Sequence, residues 1–412
     1  MPGKRLLATA ACVFIAIAGC GSSKPAASGG TATGSTDKTF TIGVLTDRTG
    51  PASSGNKTSV DGVKAGTALA EREGYKIKYV VADTATSPAT ALAAAQKLVT
   101  RDHVFAVIAH SALTFAVSNY LTARGVPVVG VAEDGPEWLT AKNMFAVFGA
   151  LQTTKVSTTS GKFFKSQGVT KLASLGYSIS PSSSEEAKAA ASSAKAAGIK
   201  IGYLNAAFPF GSTNVGPTVL AMKKARVDGL IAEIDPNTAF ALITGLREAG
   251  VNLKAVLLPT GYGGDLLQAG PGALRAAQNV FFAVTYEPVE MRTTATKQFV
   301  SDLASAGVTG EPTFAQYNGY VSVGLLIQGL KAAGANPSRP SLISALSNIH
   351  DFNALGLFGS HTLDVNDRVN IVDGVGNCLW IVKLEKEAFK LTPGATPICG
   401  SVIQGEKVSP SS

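Results

Sequence analysis

The chain has 412 residues, 45% of them hydrophobic and 16% charged, with a formal net charge of +8. That length and apolar content supply a core of two-domain size and exclude a disordered chain. The basic residues are scattered, with no block interleaved with aromatics, which excludes a nucleic-acid site and reads as a solvated surface near an anionic membrane.

The first element is an export signal. Lys4 and Arg5 precede an apolar run from Leu6 to Ala18. It is too short to span a bilayer, which takes about 20 helical residues. Ile17-Ala18-Gly19-Cys20 forms a lipobox: an apolar residue, two small residues that a peptidase can grip in extended form, and a cysteine to carry lipid. This predicts a lipoprotein signal peptide over 1–19, cleavage before Cys20 and lipidation of Cys20. Residues 20–38 are rich in Gly, Ser and Thr and lack large apolar side chains, which predicts a flexible tether. No later apolar run reaches spanning length. Cys378 and Cys399 are the cysteines left to the fold. In an exported chain they are a candidate disulfide, with two buried free thiols as the alternative.

From Thr39 onward, short apolar runs alternate with helical patterns. Strands are predicted at 40–45, 76–82, 105–108, 126–131 and 145–148, with helices at 58–73, from Ser87-Pro88, and at 112–123. At the second of these helices Ser87 should cap and Pro88 fit the first turn. The pattern then restarts: helix 152–167, strand 171–175, helix 185–197, and strands at 199–204, 229–234, 255–258 and 281–284, with helices at 215–225 and 237–249 between them. Near-continuous apolar strands separated by helices predict parallel sheets covered on both faces. The fold class is α/β, as two doubly wound lobes. After residue 290 come helices at 293–306, 314–333 and 341–349 with no strands between them, and then a β-rich tail at 377–384. The helices should return to the first lobe and the tail to the second, which makes a hinge of several crossings.

Enzyme signals are missing. There is no Walker A sequence, and Gly261-Tyr262-Gly263-Gly264 lacks dinucleotide spacing. His103, His110, His350 and His361 show no metal-ligand spacing. No cofactor or metal is expected. The chemistry lies in the loops after the strands, where open α/β sheets bind ligands. Hydroxyls and helix starts suit an anion; acidic residues suit an ammonium. These loops carry Asp47 to Pro51, Ala109 to Ala112, Ala132 to Gly135, Tyr177 to Ser184, Asp235 to Asn237 and Thr260 to Gly263.

Ile42-Gly43-Val44-Leu45 with Thr49-Gly50-Pro51, Asp61 to Gly66, Ala82-Asp83-Thr84 with Pro88, Val107 to Ser111 and Gly125 to Val129 carry a family resemblance through their order and spacing. From about Thr39 to Lys390 the chain resembles the type I periplasmic binding proteins of ABC transporters, specifically the Leu/Ile/Val-binding family. The resemblance implies two lobes joined by a three-crossover hinge: 39–150 plus 286–352, and 151–285 plus 353–405. It implies an extracytoplasmic, lipid-anchored monomer that binds a small molecule (an amino acid, an amide or a related carboxylate) and delivers it to an ABC permease. A sensory binding module and a secreted enzyme are the alternatives.

The resemblance also implies site residues. A ligand carboxylate would meet the loops holding Ser111, Ala112 and Thr114 and Ala132, Glu133 and Asp134; an ammonium would meet Asp235 or Tyr262. Each has a structural alternative: helix caps for Ser111, Thr114, Glu133, Asp134 and Asp235, and a packed loop aromatic for Tyr262. Three departures count against an ordinary aliphatic amino acid. The first loop is shorter, an Ala-Thr pair reads Glu133-Asp134, and Pro181 stands where many members have an aromatic.

Overall fold

The computed structural model describes residues 39–268 and 270–411; the export signal, Cys20 and the tether lie outside them. The first sheet contains β1 (Thr39–Thr46), β2 (Lys76–Asp83), β3 (Ala106–His110), β4 (Val128–Gly130) and β5 (Met144–Ala146), in the order β2-β1-β3-β4-β5. All its pairs are parallel. Ile42, Val44 and Leu45 are fully buried, because helices cover both faces and leave no side of β1 for water.

A short strand, β6 (Lys155–Ser157), precedes the second sheet. That sheet contains β7 (Lys171–Tyr177), β8 (Lys200–Phe208), β9 (Gly229–Glu233), β10 (Ala255–Leu258), β11 (Phe281–Val284), β12 (Cys378–Glu385) and β13 (Ala388–Leu391). The order is β13-β12-β11-β10-β9-β7-β8, parallel from β11 to β8 and antiparallel at β12 and β13. The architecture is thus a pair of α/β lobes.

Helices Thr294–Ser305 and Phe314–Ala332 pack on the first-lobe helix Ser59–Arg72. Arg72 pairs with Asp302 at 2.7 Å. The helix backbones approach closely at Gly62 and Gly319: a Cβ on Gly62 would lie 2.0 Å from the Gln316 carbonyl oxygen, and one on Gly319 2.1 Å from that of Ser59. The chain therefore passes between the lobes after β5, after β11 and before β12. Buried aromatics from these passes meet. Tyr286 stacks on Phe358 (5.7 Å between centroids) and meets Phe148 edge-on at 6.3 Å.

Four local expectations need correction. The helix read over 152–167 is a helix only at Thr159–Ser166. Its start is β6, which pairs antiparallel with β15 (Val402–Lys407), after β14 (Ile398–Cys399) in the chain. That pairing is remote in sequence and leaves no local signal. The helix read from Glu185 begins at Pro181, where Ser180 caps by accepting from the Ser183 amide at 3.1 Å. The Ser87 side chain makes no cap bond; Pro88 alone marks that helix start. The β-rich tail is longer than 377–384 and includes β13, β14 and β15. Cys378 and Cys399 stand opposite one another across β12 and β14 and form a disulfide.

Candidate functional site

The C-terminal ends of β3, β4, β7, β9, β10 and β11 border one cavity of about 260 Å³. This is where parallel sheets expose free helix N–H groups and loop side chains. Its size lies just under the usual range of about 300–1,000 Å³ for ligand pockets, so it suits a small solute. Phe148, Tyr177, Phe210 and Phe314 supply aromatic lining. Tyr177 meets Phe210 edge-on at 4.9 Å. At the rim the lobes touch: the Asp134 carbonyl accepts from the Ser182 amide at 3.2 Å and from the Ser180 hydroxyl at 3.3 Å.

Five of the eight expected ligand contacts lie on this cavity: Ala112, Ala132, Glu133, Asp134 and Asp235. Ser111, Thr114 and Tyr262 are not among its lining residues. Ser111 is fully buried and its hydroxyl donates to Asp47 at 2.6 Å. The Thr114 hydroxyl donates to the Ser111 carbonyl at 2.8 Å. Tyr262 is packed against Phe389 at 4.9 Å and donates to Glu290 at 2.7 Å. His110 is also structural, its Nε2 lying 2.9 Å from the Ser322 hydroxyl; burial pushes it down to about 3, so it is neutral.

Asp47 reorganises the first-lobe wall. It accepts from Ser111, from the Ala112 amide at 2.8 Å, from Asn56 at 3.1 Å and from Thr84. A hydroxyl, a backbone N–H and an amide are the donors one would choose for a ligand carboxylate. Here a carboxylate of the chain itself has taken them. Burial raises the Asp47 pKa, and these hydrogen bonds oppose the rise.

The lining carries six carboxyls, Glu133, Asp134, Glu186, Glu233, Asp235 and Asp373, against one basic side chain, Lys155. Several are committed. Asp235 caps its helix by accepting from the Thr238 amide at 3.1 Å and hydroxyl at 2.7 Å, and it also accepts from the Tyr177 hydroxyl. Glu133 accepts from Asn56 at 3.2 Å, and Asp373 from Ser157. Lys155 donates to the Val369 carbonyl. Glu186 and Glu233 have no hydrogen-bonded or ion-paired side-chain partner among the described residues.

Burial dominates the titration of this group. It pushes Asp134 up to about 8, with the charges of Asp47 and Glu137 adding to it. It pushes Glu233 up to about 7, with Asp373 adding. Glu186 is held well above the usual carboxyl range by burial and then by Glu233, Asp134, Asp373 and Glu185. Glu133 is raised likewise by burial, Asp134 and Asp47. Burial and the neighbouring carboxyls thus both favour the protonated form of these groups.

Sequence reasoning missed Glu186, Glu233 and Asp373. Glu233 had a signal: it ends β9 two residues before Asp235, at a strand end that faces the cleft. Glu186 lies within the helix expected over 185–197, but a helical pattern does not show that its side chain faces the cleft. Asp373 comes from the segment before β12, which has no periodic pattern to place it.

The chain matches the model of the family described as periplasmic binding protein over residues 39–388. It belongs to that family. The fold of this periplasmic binding protein matches three solved structures. The leucine-binding protein LivK of Thermotoga maritima has 16% identity and a TM-score of 0.70, over 87% of this chain and 99% of that one. LivJ of Streptococcus pneumoniae, in complex with isoleucine, has 19% identity and a TM-score of 0.70, over 90% and 100%. A solute-binding protein of Rhodopseudomonas palustris, in complex with 4-hydroxybenzoate, has 18% identity and a TM-score of 0.69, over 91% and 98%. No curated protein matches the sequence. At such identities the structures establish the type I fold of the Leu/Ile/Val-binding proteins and not the ligand. The matched family is one of periplasmic binding proteins, whose members are extracytoplasmic. Among the described residues no helix is long and apolar enough to cross a membrane.

Proposed function

We propose that this protein is a lipid-anchored, extracytoplasmic substrate-binding protein of an ABC importer, which captures a small polar solute between its lobes and presents it to a permease. The observation that carries this reading is the interlobe cavity of about 260 Å³ at the C-terminal strand ends of both sheets. Its lining of hydroxyl, carboxyl and aromatic side chains from both lobes suits the capture of a small polar solute. The solutes named for LivJ and for the Rhodopseudomonas protein, isoleucine and 4-hydroxybenzoate, are small enough for such a cleft. The lipobox at Cys20 supplies the anchor, and residues 20–38 give the reach. The chain crosses between the lobes three times, so the crossings act together as a hinge.

A thermal-shift screen of amino acids, amides, amines and short carboxylates tests this reading. A solute at about 100 times its Kd should stabilise the protein by about 2.7 kcal/mol. Small-angle scattering should then show a smaller radius of gyration when that solute saturates the protein. A stabilising solute that leaves the scattering profile unchanged would contradict capture by closure.

A further inference from the structure

We propose that the solute is an organic dication of the diamine or amine–guanidine class, held between Glu133 and Asp134 on one lobe and Glu186, Glu233 and Asp373 on the other. This rests on the interlobe cavity being the binding site. Three observations carry it.

The first is the occupied anion site. Ser111, the Ala112 amide and Asn56 all donate to Asp47, at 2.6, 2.8 and 3.1 Å. Ser111 and Asp47 lie off the lining, and the donors of Ala112 and Asn56 at the cavity wall are already engaged by Asp47, so a ligand carboxylate there finds engaged donors and neighbouring carboxyls.

The second is a pair of carboxyl groups without partners. The Glu186 and Glu233 carboxyl groups line the cavity and make no hydrogen bond or ion pair among the described residues. The one basic side chain of the lining, Lys155, already donates to Val369. The Thr260 hydroxyl, also on the lining, is buried without a partner. The half-buried Glu186 and Glu233 carboxyls are free to accept N–H donors from a ligand, and the buried Thr260 hydroxyl is a polar group of the kind that is normally satisfied.

The third is the spacing. Among the described residues the one group of three His, Cys, Asp or Glu ligand atoms close enough to share an ion is His361 with Cys378 and Cys399, whose cysteines are joined as a disulfide. The cavity carboxylates are therefore too far apart to chelate one metal ion as a set of three. They belong to both lobes, so a ligand with a cationic group at each end has a carboxyl partner on each lobe. Neutralising carboxyls on the two lobes also removes the repulsion that opposes closure.

Calorimetry at pH 8 with agmatine and putrescine as probes tests the proposal, alongside 1,4-butanediol, leucine, 4-hydroxybenzoate and calcium chloride. At least one of the two cations should bind, and butanediol, which keeps the length without the charge, should not. Glu186→Gln and Glu233→Gln should each weaken the cation at least tenfold while the free variants unfold at or above the wild-type temperature. The binding enthalpy should change with the ionisation enthalpy of the buffer, because a cation expels protons from the cavity carboxyls. Failure of both cations to bind at millimolar concentration overturns the proposal. If leucine or 4-hydroxybenzoate then binds and contracts the protein, the solute-binding reading stands without it. Binding of calcium alone, or cation binding that both Gln variants leave intact, also overturns it.

Discussion

The Ser111 hydroxyl donates to Asp47 at 2.6 Å, and this contact turns an expected ligand donor into part of the first lobe's interior. The same carboxylate accepts from Ala112, Asn56 and Thr84. Removing one partner leaves a buried carboxylate less satisfied. Ser111→Ala should therefore lower stability by about 1–3 kcal/mol. Urea denaturation should show the loss as a lower midpoint, and solute affinity should change less than it does on substitution of a cavity carboxyl. An unchanged midpoint would show that Asp47 does not depend on this bond.

The free protein should lose stability as the pH rises toward 8. Asp134, Glu233 and Glu137 have folded pKa values pushed up to about 8, 7 and 7 by burial, above the ordinary values of 3.8, 4.5 and 4.5. The fold therefore binds more protons than the unfolded chain between about pH 4 and 8, and its stability falls across that window. Asp228 acts in the opposite sense. Its contacts with Lys254, Lys171 and Thr170 hold it down to about 2 against a burial effect that raises it, so its contribution is lost as pH falls below about 4. Melting temperatures should peak near the acidic end of this range. Glu233→Gln should flatten the alkaline fall, and a flat profile from pH 5 to 8 would contradict the burial of these groups.

The disulfide holds β14 to β12, and the next strand, β15, pairs with β6, whose Lys155 lines the cavity. Cys378 and Cys399 are separated by 21 positions. The chain-entropy model gives about 3 kcal/mol for a loop of this size. Cys399→Ser should lower stability by about that much and should increase hydrogen exchange in Val402–Lys407 before the rest of the second lobe. Two titratable thiols in the denatured, unreduced protein would contradict the pairing.

Gly62→Ala places a methyl where only 2.0 Å separates it from the Gln316 carbonyl. The helices Ser59–Arg72 and Phe314–Ala332 must then move apart, which should cost about 1–3 kcal/mol even though alanine favours a helix. Thermal denaturation should show the loss. A stabilised variant would mean the helix pair can re-space freely.

The element order was legible because buried parallel strands and the helices between them alternate along the chain. β1, β3, β10 and β11 read as short apolar runs, and the helix at Pro88 as a proline in a first turn. What failed was remote. β6 takes its conformation from β15, nearly 250 positions later, and the Pro181 helix start was hidden by serines that read as a loop. At the site, loop position was informative but side-chain direction was not. Glu133, Asp134 and Asp235 reach the cavity, whereas Ser111 and Tyr262 from equivalent loops turn to Asp47 and Glu290. A period-two or helical pattern does not encode which polar group another will satisfy.

The proposed membrane anchor rests on the lipobox at Cys20. The mature protein from native membranes should carry lipid on Cys20, seen as a mass increase on the N-terminal peptide. Cys20→Ala should leave the protein soluble. An unmodified N-terminus elsewhere would contradict the anchor.

The central claim is that the interlobe cavity takes up one small solute, and native mass spectrometry tests it most directly. Wild-type protein is incubated with a pooled low-molecular-weight cell extract, beside Ala132→Trp, whose indole would occupy the cavity from a nearly buried lining position. The account predicts one solute per wild-type chain and none on an Ala132→Trp protein that remains folded. The same solute retained at the same occupancy by the variant, or no solute on wild type, would contradict it.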